Sequence, residues 1–121
     1  MSNMNQHIPL NISPKELNKI LEDEFSEKPF IVDVREDDEF AIASLAFSVL
    51  HLPLSKAANW STNIEELLPN DQPIVVVCHA GVRSWNFGIW LLEQGITKRV
   101  WNLVGGIDAW STDVDQSVPR Y

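Results

Sequence analysis

The residues with the clearest chemical potential lie in one short segment, CHAGVRS, which begins with Cys78, the only cysteine of the chain. Gly81 permits backbone conformations in which successive N–H groups converge on an anion, and Arg83 adds a fixed positive charge. Such surroundings stabilise a thiolate, which is the nucleophilic form of cysteine. The segment therefore favours a nucleophilic cysteine in an anion-binding loop. The alternative is an unreactive buried thiol, because a lone cysteine after an apolar run often only fills space.

The elements on either side of this segment are predicted to place it at the N-terminus of a helix. Residues 73–78 (PIVVVC) are apolar at consecutive positions, which is typical of a strand covered on both faces in a parallel sheet. Residues 83–94 are predicted to form a helix that ends at Gly95. The first N–H groups and the dipole of this helix would direct positive charge at the thiolate. Because a cation is unfavourable at a helix N-terminus, Arg83 is interpreted as a ligand for an anion.

The rest of the chain alternates predicted strands with predicted helices. Ser13, Pro14 and Glu16 form a capping box with proline at the first helical position, and Thr62–Glu65 is a second candidate box. Further strands are predicted at 29–34, 49–52 and 100–104, and further helices from residues 36 and 107. This alternation indicates an α/β domain with a mainly parallel sheet, in which ligands bind beyond the carboxyl ends of strands. Cys78 lies at such an end.

Length, charge and composition exclude several functional classes. A chain of 121 residues with 45% hydrophobic residues is expected to form one domain, 1–121, with a core covering about residues 12–112. The net charge of −8 and the pI near 4.7 argue against nucleic acid or anionic lipid as a partner. One cysteine cannot form an internal disulfide, residues 1–10 lack the features of a signal peptide, and residues 40–54 are too short for a membrane span. We therefore expect a cytoplasmic protein.

Other polar residues invite a chemical role. His79 is interpreted equally well as an exposed loop residue or as a contact for the substrate. Asp33 lies within an apolar strand and needs a partner, and Arg35 is the nearest candidate, so we expect a structural ion pair near the site. His7 and His51 are isolated, and no metal site is predicted.

The tryptophans lie in apolar stretches, which favours packing in the core over stacking on a ligand. Trp85 is nearest to the cysteine segment and is the candidate for the edge of a pocket. Gly105–Gly106 is interpreted as a turn.

The chain resembles the rhodanese family in several motifs that occur in the same order. The segment from Cys78 to Ser84 is similar to the active-site loop of that family, and residues 102–110 (NLVGGIDAW) closely resemble its C-terminal signature. Weaker resemblances lie in residues 31–40 (IVDVREDDEF), 73–78 and 118–121 (VPRY), the last being similar to the ending of single-domain bacterial members. The resemblance implies a rhodanese-like three-layer α/β domain, with a central mainly parallel sheet flanked by helices.

The resemblance also implies a sulfurtransferase. Cys78 would take the outer sulfur of a small anionic donor, either thiosulfate or a persulfide, and form a Cys78 persulfide. The acceptor would be thiophilic: cyanide, a thiol or a protein cysteine. The substrate-binding residues would be those of the loop, namely His79, Ala80, Gly81, Val82, Arg83 and Ser84. The ion pair of Asp33 and Arg35 would support the site, and no metal or organic cofactor is implied.

Two alternatives use the same fold. Family members that transfer sulfur have four residues between the cysteine and the arginine, whereas related phosphatases have five, which widens the cradle for phosphate. The four residues between Cys78 and Arg83 thus argue against a phosphatase or an arsenate reductase. The other alternative is a non-enzymatic interaction module with a vestigial loop, and the intact Cys78, Gly81 and Arg83 argue against it.

The chain departs from the family pattern in one segment. Members usually have Gly-His and Pro-Gly between the acidic helix and the second strand, where this chain has residues 43–48 (ASLAFS). We expect the absence of these glycines to bear on the local backbone and on one wall of the site and to leave the cysteine loop unchanged.

Overall fold

The computed structural model describes residues 8–95 and 99–121. His7 and most of residues 1–10, which are expected not to form a signal peptide, lie outside the described residues. Five strands form one sheet: β1 Leu10–Ile12, β2 Phe30–Asp33, β3 Leu50–His51, β4 Ile74–Val77 and β5 Val100–Leu103. Their order across the sheet is β1-β5-β4-β2-β3, and each neighbouring pair is parallel. The predicted α/β class with a parallel sheet is confirmed.

The central strand β4 has all four of its residues buried, as its run of apolar residues predicts. Asp33 at the end of β2 pairs in register with Val77, and Asn102 of β5 pairs with Val76. The carboxyl ends of these three strands therefore lie side by side. Cys78 follows β4 directly at this edge of the sheet.

The helices cover both faces of the sheet: α1 Pro14–Glu22, α2 Asp37–Ile42, α3 Ala57–Trp60, α4 Ile64–Leu67, α5 Val82–Glu93 and α6 Gly106–Asp113. The predicted capping box of α1 is confirmed, because Ser13 and Glu16 exchange hydrogen bonds between side chain and backbone at 2.9 and 3.1 Å. Helix α5 begins one residue before its predicted start, and Gly95 with φ 73° follows its C-cap. In residues 8–95 and 99–121, no helix has the length and apolar character needed to cross a membrane.

The capping box predicted at Thr62–Glu65 is wrong. Thr62 lies in a 3-10 turn, Ser61–Asn63, which continues from α3 and leads directly into α4. The residue before α4 is Asn63, and its side chain makes no capping hydrogen bond. A capping residue needs an extended backbone, and successive helical turns exclude that conformation here. The sequence pattern also misses β1, whose three residues are too few to show a period.

The core consists of two clusters, one on each face of the sheet. One contains Val32 and Val76 with the buried side of α5, and the other contains Val75 and Val77 with residues of α1 and α6. Two faces covered by helices explain why β4 is apolar at every position. The core role of the tryptophans is confirmed for three of those that follow the cysteine segment, Trp90, Trp101 and Trp110.

The segment 43–48, which lacks the usual glycines, packs against the second face. Ala43 and Leu45 are buried, and Phe47 contacts the ring of Trp110 edge-on with 5.5 Å between centroids. No non-glycine residue in the described ranges has a positive φ. The segment thus replaces glycine turns with ordinary backbone and apolar contacts.

Candidate active site

Cys78 lies at the middle of the sheet edge, with only 1% of its surface exposed. Its Sγ is 3.0 Å from the backbone nitrogen of Gly81 and 3.2 Å from Oγ of Ser84. Gly81 precedes α5 and has φ 101°, a left-handed conformation that favours glycine. This turn directs its N–H at the sulfur, beside the first-turn N–H groups of α5, which have no partner within the helix. The sulfur therefore lies where backbone donors and the helix dipole both favour negative charge.

Ser84 connects the sulfur to β5. It is fully buried, and its hydroxyl donates to Oδ1 of Asn102. The Nδ2 of Asn102 donates to the carbonyl oxygen of Gly81 at 3.2 Å. These bonds fix the loop around the sulfur, and they place Ser84 against Cys78, away from solvent. Sequence reasoning misses Asn102, although a buried polar residue in an apolar strand must have a partner and could have signalled it.

Helix α6 supports the loop from the other side. The N–H groups of Ile107 and Asp108 donate to the carbonyl oxygens of Cys78 and His79 at 2.9 and 3.1 Å. A Cβ at Gly106 would lie 2.3 Å from the carbonyl oxygen of Cys78, and Gly106 has φ 61°. The second glycine of the pair is therefore more than a turn residue, because it allows α6 to approach the backbone of the loop.

Arg83 forms a bidentate ion pair with Glu39 of α2. Its two terminal nitrogens lie 2.5 and 2.8 Å from the carboxylate oxygens. The hydrogen bonds from Arg83 hold the pKa of Glu39 down to about 2, and the same pairing raises the pKa of Arg83. The predicted role of Arg83 in binding an anion stays a prediction, and the structure adds Glu39 as its partner. No local pattern links the two residues, which lie 44 positions apart.

Tyr121 closes this network from the far end of the chain. Its hydroxyl donates to Glu39 at 2.9 Å and accepts from Arg35 at 3.1 Å. The centroids of its ring and the ring of His79 are 4.4 Å apart. Although 38% of the surface of Tyr121 is exposed, partial desolvation of its hydroxyl raises the pKa of Tyr121 to about 12. A neutral phenol thus bridges the two charged pairs beside the loop.

Asp33 and Arg35 form the ion pair that the sequence predicts, with Nη2 and Oδ2 2.8 Å apart and both side chains without exposed surface. Arg35 also donates to the carbonyl oxygens of Glu39 and Ala43. Burial lowers the pKa of Arg35, but its hydrogen bonds to Asp33 and Tyr121 together outweigh that effect and leave it raised. Through Arg35 this pair ties β2 to α2 and to the segment 43–48, so it positions Glu39.

The remaining loop residues differ in how they face the site. Ala80 is exposed, and Val82 has 68% of its surface exposed, so only their backbone can serve the sulfur. His79 is half-buried, and its Nδ1 is buried without a hydrogen-bond partner in the described ranges. Trp85 is half-buried on α5. Within residues 8–95 and 99–121, no three His, Cys, Asp or Glu side chains come together as metal ligands.

This geometry is suited to nucleophilic chemistry at sulfur. The donors around Cys78 stabilise an anion on its Sγ, or on a second sulfur attached to it, since backbone N–H groups and a helix N-terminus bind either. The arrangement at the end of a central parallel strand is also the usual location of a ligand site in such sheets.

Comparison with known proteins shows the class to which this fold and loop belong. The family model of the rhodanese-like domain matches residues 13–113, and the chain belongs to that family. A rhodanese-like domain protein from Staphylococcus aureus superimposes with a TM-score of 0.69 at 26% identity, covering 93% of this chain and 98% of that one.

Curated relatives carry more specific names. The chain is 38% identical over 92% of its length to rhodanese-like/PpiC domain-containing protein 12, chloroplastic, of Arabidopsis thaliana, and spans 37% of that protein. It is 31% identical to adenylyltransferase and sulfurtransferase UBA4 of Candida albicans, matching 91% of this chain but 25% of the relative. It is 32% identical to thiosulfate sulfurtransferase GlpE of Coxiella burnetii, over 66% of this chain and 69% of that one. Relatives of this chain thus include proteins named sulfurtransferases.

Proposed function

We propose that this protein is a sulfurtransferase that carries sulfane sulfur as a persulfide on Cys78. The observation that carries the proposal is the position of Sγ, 3.0 Å from the N–H nitrogen of Gly81 and beside the N-terminus of α5. The Cys78 thiolate attacks the outer sulfur of thiosulfate or of a persulfide, and the S–S bond of the donor breaks. Sulfite or a thiolate leaves with the electron pair, and the transferred sulfur remains on Cys78.

The second half of the cycle returns the thiolate. A thiol, a protein cysteine or cyanide attacks the outer sulfur of the Cys78 persulfide, and Cys78 leaves as a thiolate. The N–H groups of the loop can stabilise negative charge on either sulfur, so the same cradle serves both steps. Neither step requires a metal or an organic cofactor. A cytoplasmic location stays a prediction, and one relative is named as chloroplastic.

The rival activity on this fold is phosphate hydrolysis. The loop has four residues between Cys78 and Arg83, the length that the family resemblance associates with sulfur transfer. Hydrogen bonds weaken steeply as donors depart from ideal distance and angle, so a ring shaped for one sulfur atom would bind a phosphoryl group poorly. We therefore favour sulfur over phosphate as the transferred group.

Intact mass spectrometry tests the proposal directly. After incubation with thiosulfate or with a small persulfide, we expect the protein to gain the mass of one sulfur atom and to lose it on treatment with a reducing thiol. The Cys78→Ser variant is expected to gain nothing, since serine cannot form a persulfide. Wild-type protein that gains no sulfur from either donor, or that hydrolyses aryl phosphates faster than it transfers sulfur, would contradict the proposal.

A further inference from the structure

The positive charge of Arg83 is neutralised within the protein. Its guanidinium contacts both carboxylate oxygens of Glu39, whose side chain has 16% of its surface exposed. Glu39 is fixed by two further donors, the hydroxyl of Tyr121 at 2.9 Å and the backbone N–H of Glu36 at 3.0 Å. Four donors to one carboxylate keep it ionised at neutral pH and directed at Arg83.

Three other cations in residues 8–95 and 99–121 are compensated in the same way. Each one lies against a carboxylate of its own, and Asp38 adds a further negative charge on the exposed start of α2. The pairs are Arg35 with Asp33, Arg120 with Asp108 beside His79, and Lys56 with Asp37. The loop therefore presents hydrogen-bond donors in surroundings that supply little net positive charge.

We propose that Glu39, by neutralising Arg83, determines which sulfur donor the protein prefers. The protein then favours persulfides of low charge over the thiosulfate dianion. This inference rests on the proposed function and names its donor class. A dianion must approach a chain of net charge −8 and an arginine that is already paired, so the attraction that would concentrate it at the loop is missing. A persulfide of an uncharged thiol carries its negative charge on sulfur alone, where the N–H groups near Gly81 can bind it.

Both donors undergo the same exchange at Cys78, which makes their comparison direct. The thiolate attacks the outer sulfur, one S–S bond forms and one breaks, and the leaving group is a thiolate from the persulfide or sulfite from thiosulfate. Charge and sulfur balance in each case. The donors differ in the charge that has to be accommodated next to Arg83, and Glu39 acts on that charge through its pairing with Arg83.

The Glu39→Gln variant tests the assignment, because glutamine keeps the shape of glutamate and one of its two acceptor oxygens but not its charge. The measurement is the second-order rate of Cys78 persulfide formation, followed by quenched-flow mass spectrometry, with thiosulfate and with the persulfide of 2-mercaptoethanol. We expect the ratio of the thiosulfate rate to the persulfide rate to rise roughly tenfold in the variant, since Arg83 is then free to attract the dianion. An unchanged or lower ratio would overturn the inference.

Asp38→Asn is the matched control, since it removes one negative charge from the same helix without contacting Arg83. In this variant, the ratio of the thiosulfate rate to the persulfide rate is expected to shift by less than about twofold, because exposed charges are screened by solvent. A shift as large as that of Glu39→Gln would overturn the role of Glu39 and assign the effect to overall charge.

A salt series on the wild type gives a second readout that needs no variant to fold. Between about 0.01 M and about 0.5 M salt, screening should raise the rate with the thiosulfate dianion more than the rate with the singly charged persulfide. A thiosulfate rate that falls with salt would show net attraction and overturn the inference.

Failure of both donors to load Cys78 would contradict the proposed function itself, whereas loading by both with an unchanged ratio contradicts only the role of Glu39.

Discussion

The hydroxyl of Ser84 has one proton to share between two neighbours, the sulfur of Cys78 and Oδ1 of Asn102. While Cys78 is a thiol, its S–H can donate to Ser84 as Ser84 donates to Asn102. When Cys78 is a thiolate, the same hydroxyl can turn and donate to the sulfur, together with the N–H of Gly81. We therefore propose that Ser84 contributes to the reactivity of Cys78 without contacting solvent, since it is fully buried.

We expect Ser84→Ala to slow alkylation of Cys78 by iodoacetamide at neutral pH by roughly tenfold, because a hydrogen bond to an ionised group is lost. The measurement is the second-order rate of alkylation, with thermal unfolding recorded in parallel. Ser111→Ala is the matched control, since Ser111 is also buried but its hydroxyl donates to the carbonyl oxygen of Val118. Equal alkylation rates in the wild type and in a folded Ser84→Ala variant would exclude this role of Ser84.

At the scale of elements, the loop is fixed by two helices that start at the same edge of the sheet. Helix α5 places its N-terminus beside the sulfur, and α6 places two N–H groups on the carbonyl oxygens of Cys78 and His79. The second contact needs a close approach, which only a glycine at position 106 allows. The shape of the cradle therefore depends on α6 as much as on the loop itself.

Gly106→Ala should destabilise the protein by more than about 3 kcal/mol, because its Cβ would overlap the loop backbone as well as strain the positive φ. Gly95→Ala isolates the cost of the backbone conformation: Gly95 has φ 73°, and among the described residues, its chain neighbours aside, no atom lies within 4 Å of the added Cβ. Its cost should be about 1 kcal/mol. Urea unfolding of both variants measures the difference. Equal destabilisation of the two would show that α6 does not need its close approach to the loop.

Across the whole molecule, Tyr121 joins segments that are far apart in the chain. Its hydroxyl bridges Arg35 and Glu39, which lie 86 and 82 positions away. The bond to Glu39 supports the pairing of Glu39 with Arg83. The last residues of the chain therefore stabilise both the fold and the charge arrangement beside the loop.

Tyr121→Phe should lower the free energy of unfolding at neutral pH by about 1 kcal/mol through the loss of these hydrogen bonds. The pKa of Tyr121 is raised from 10.0 to about 12 in the folded protein, so its contribution is fully present below pH 10 and is lost as the pH rises towards 12. The stability difference between wild type and variant should therefore shrink across that interval. Because Tyr121 is the only tyrosine, tyrosinate absorbance reports its titration directly. An onset of that absorbance at the usual pH for tyrosine would contradict the bridging position of the hydroxyl between Arg35 and Glu39.

Features encoded by adjacent residues were predictable from the sequence. The capping box of α1, the buried strand β4 and the Cys78–Arg83 loop each follow from short patterns, because local backbone preferences and hydrophobic periodicity act over a few residues. The same reasoning failed at Thr62, where the preceding helical turn removes the extended backbone that a cap requires. It also missed β1, which becomes a strand only because β5 offers a parallel edge beside it.

The sequence by itself therefore determined the fold class, the position of the nucleophile candidate and the donors that surround it. Only the tertiary structure decided what pairs with Arg83 and what supports the loop. Glu39, Asn102, Gly106 and Tyr121 reach the site from α2, β5, α6 and the end of the chain. The physical reason is that strand order brings together residues whose separation in the sequence has no period or motif, so their contacts appear only when the sheet is assembled.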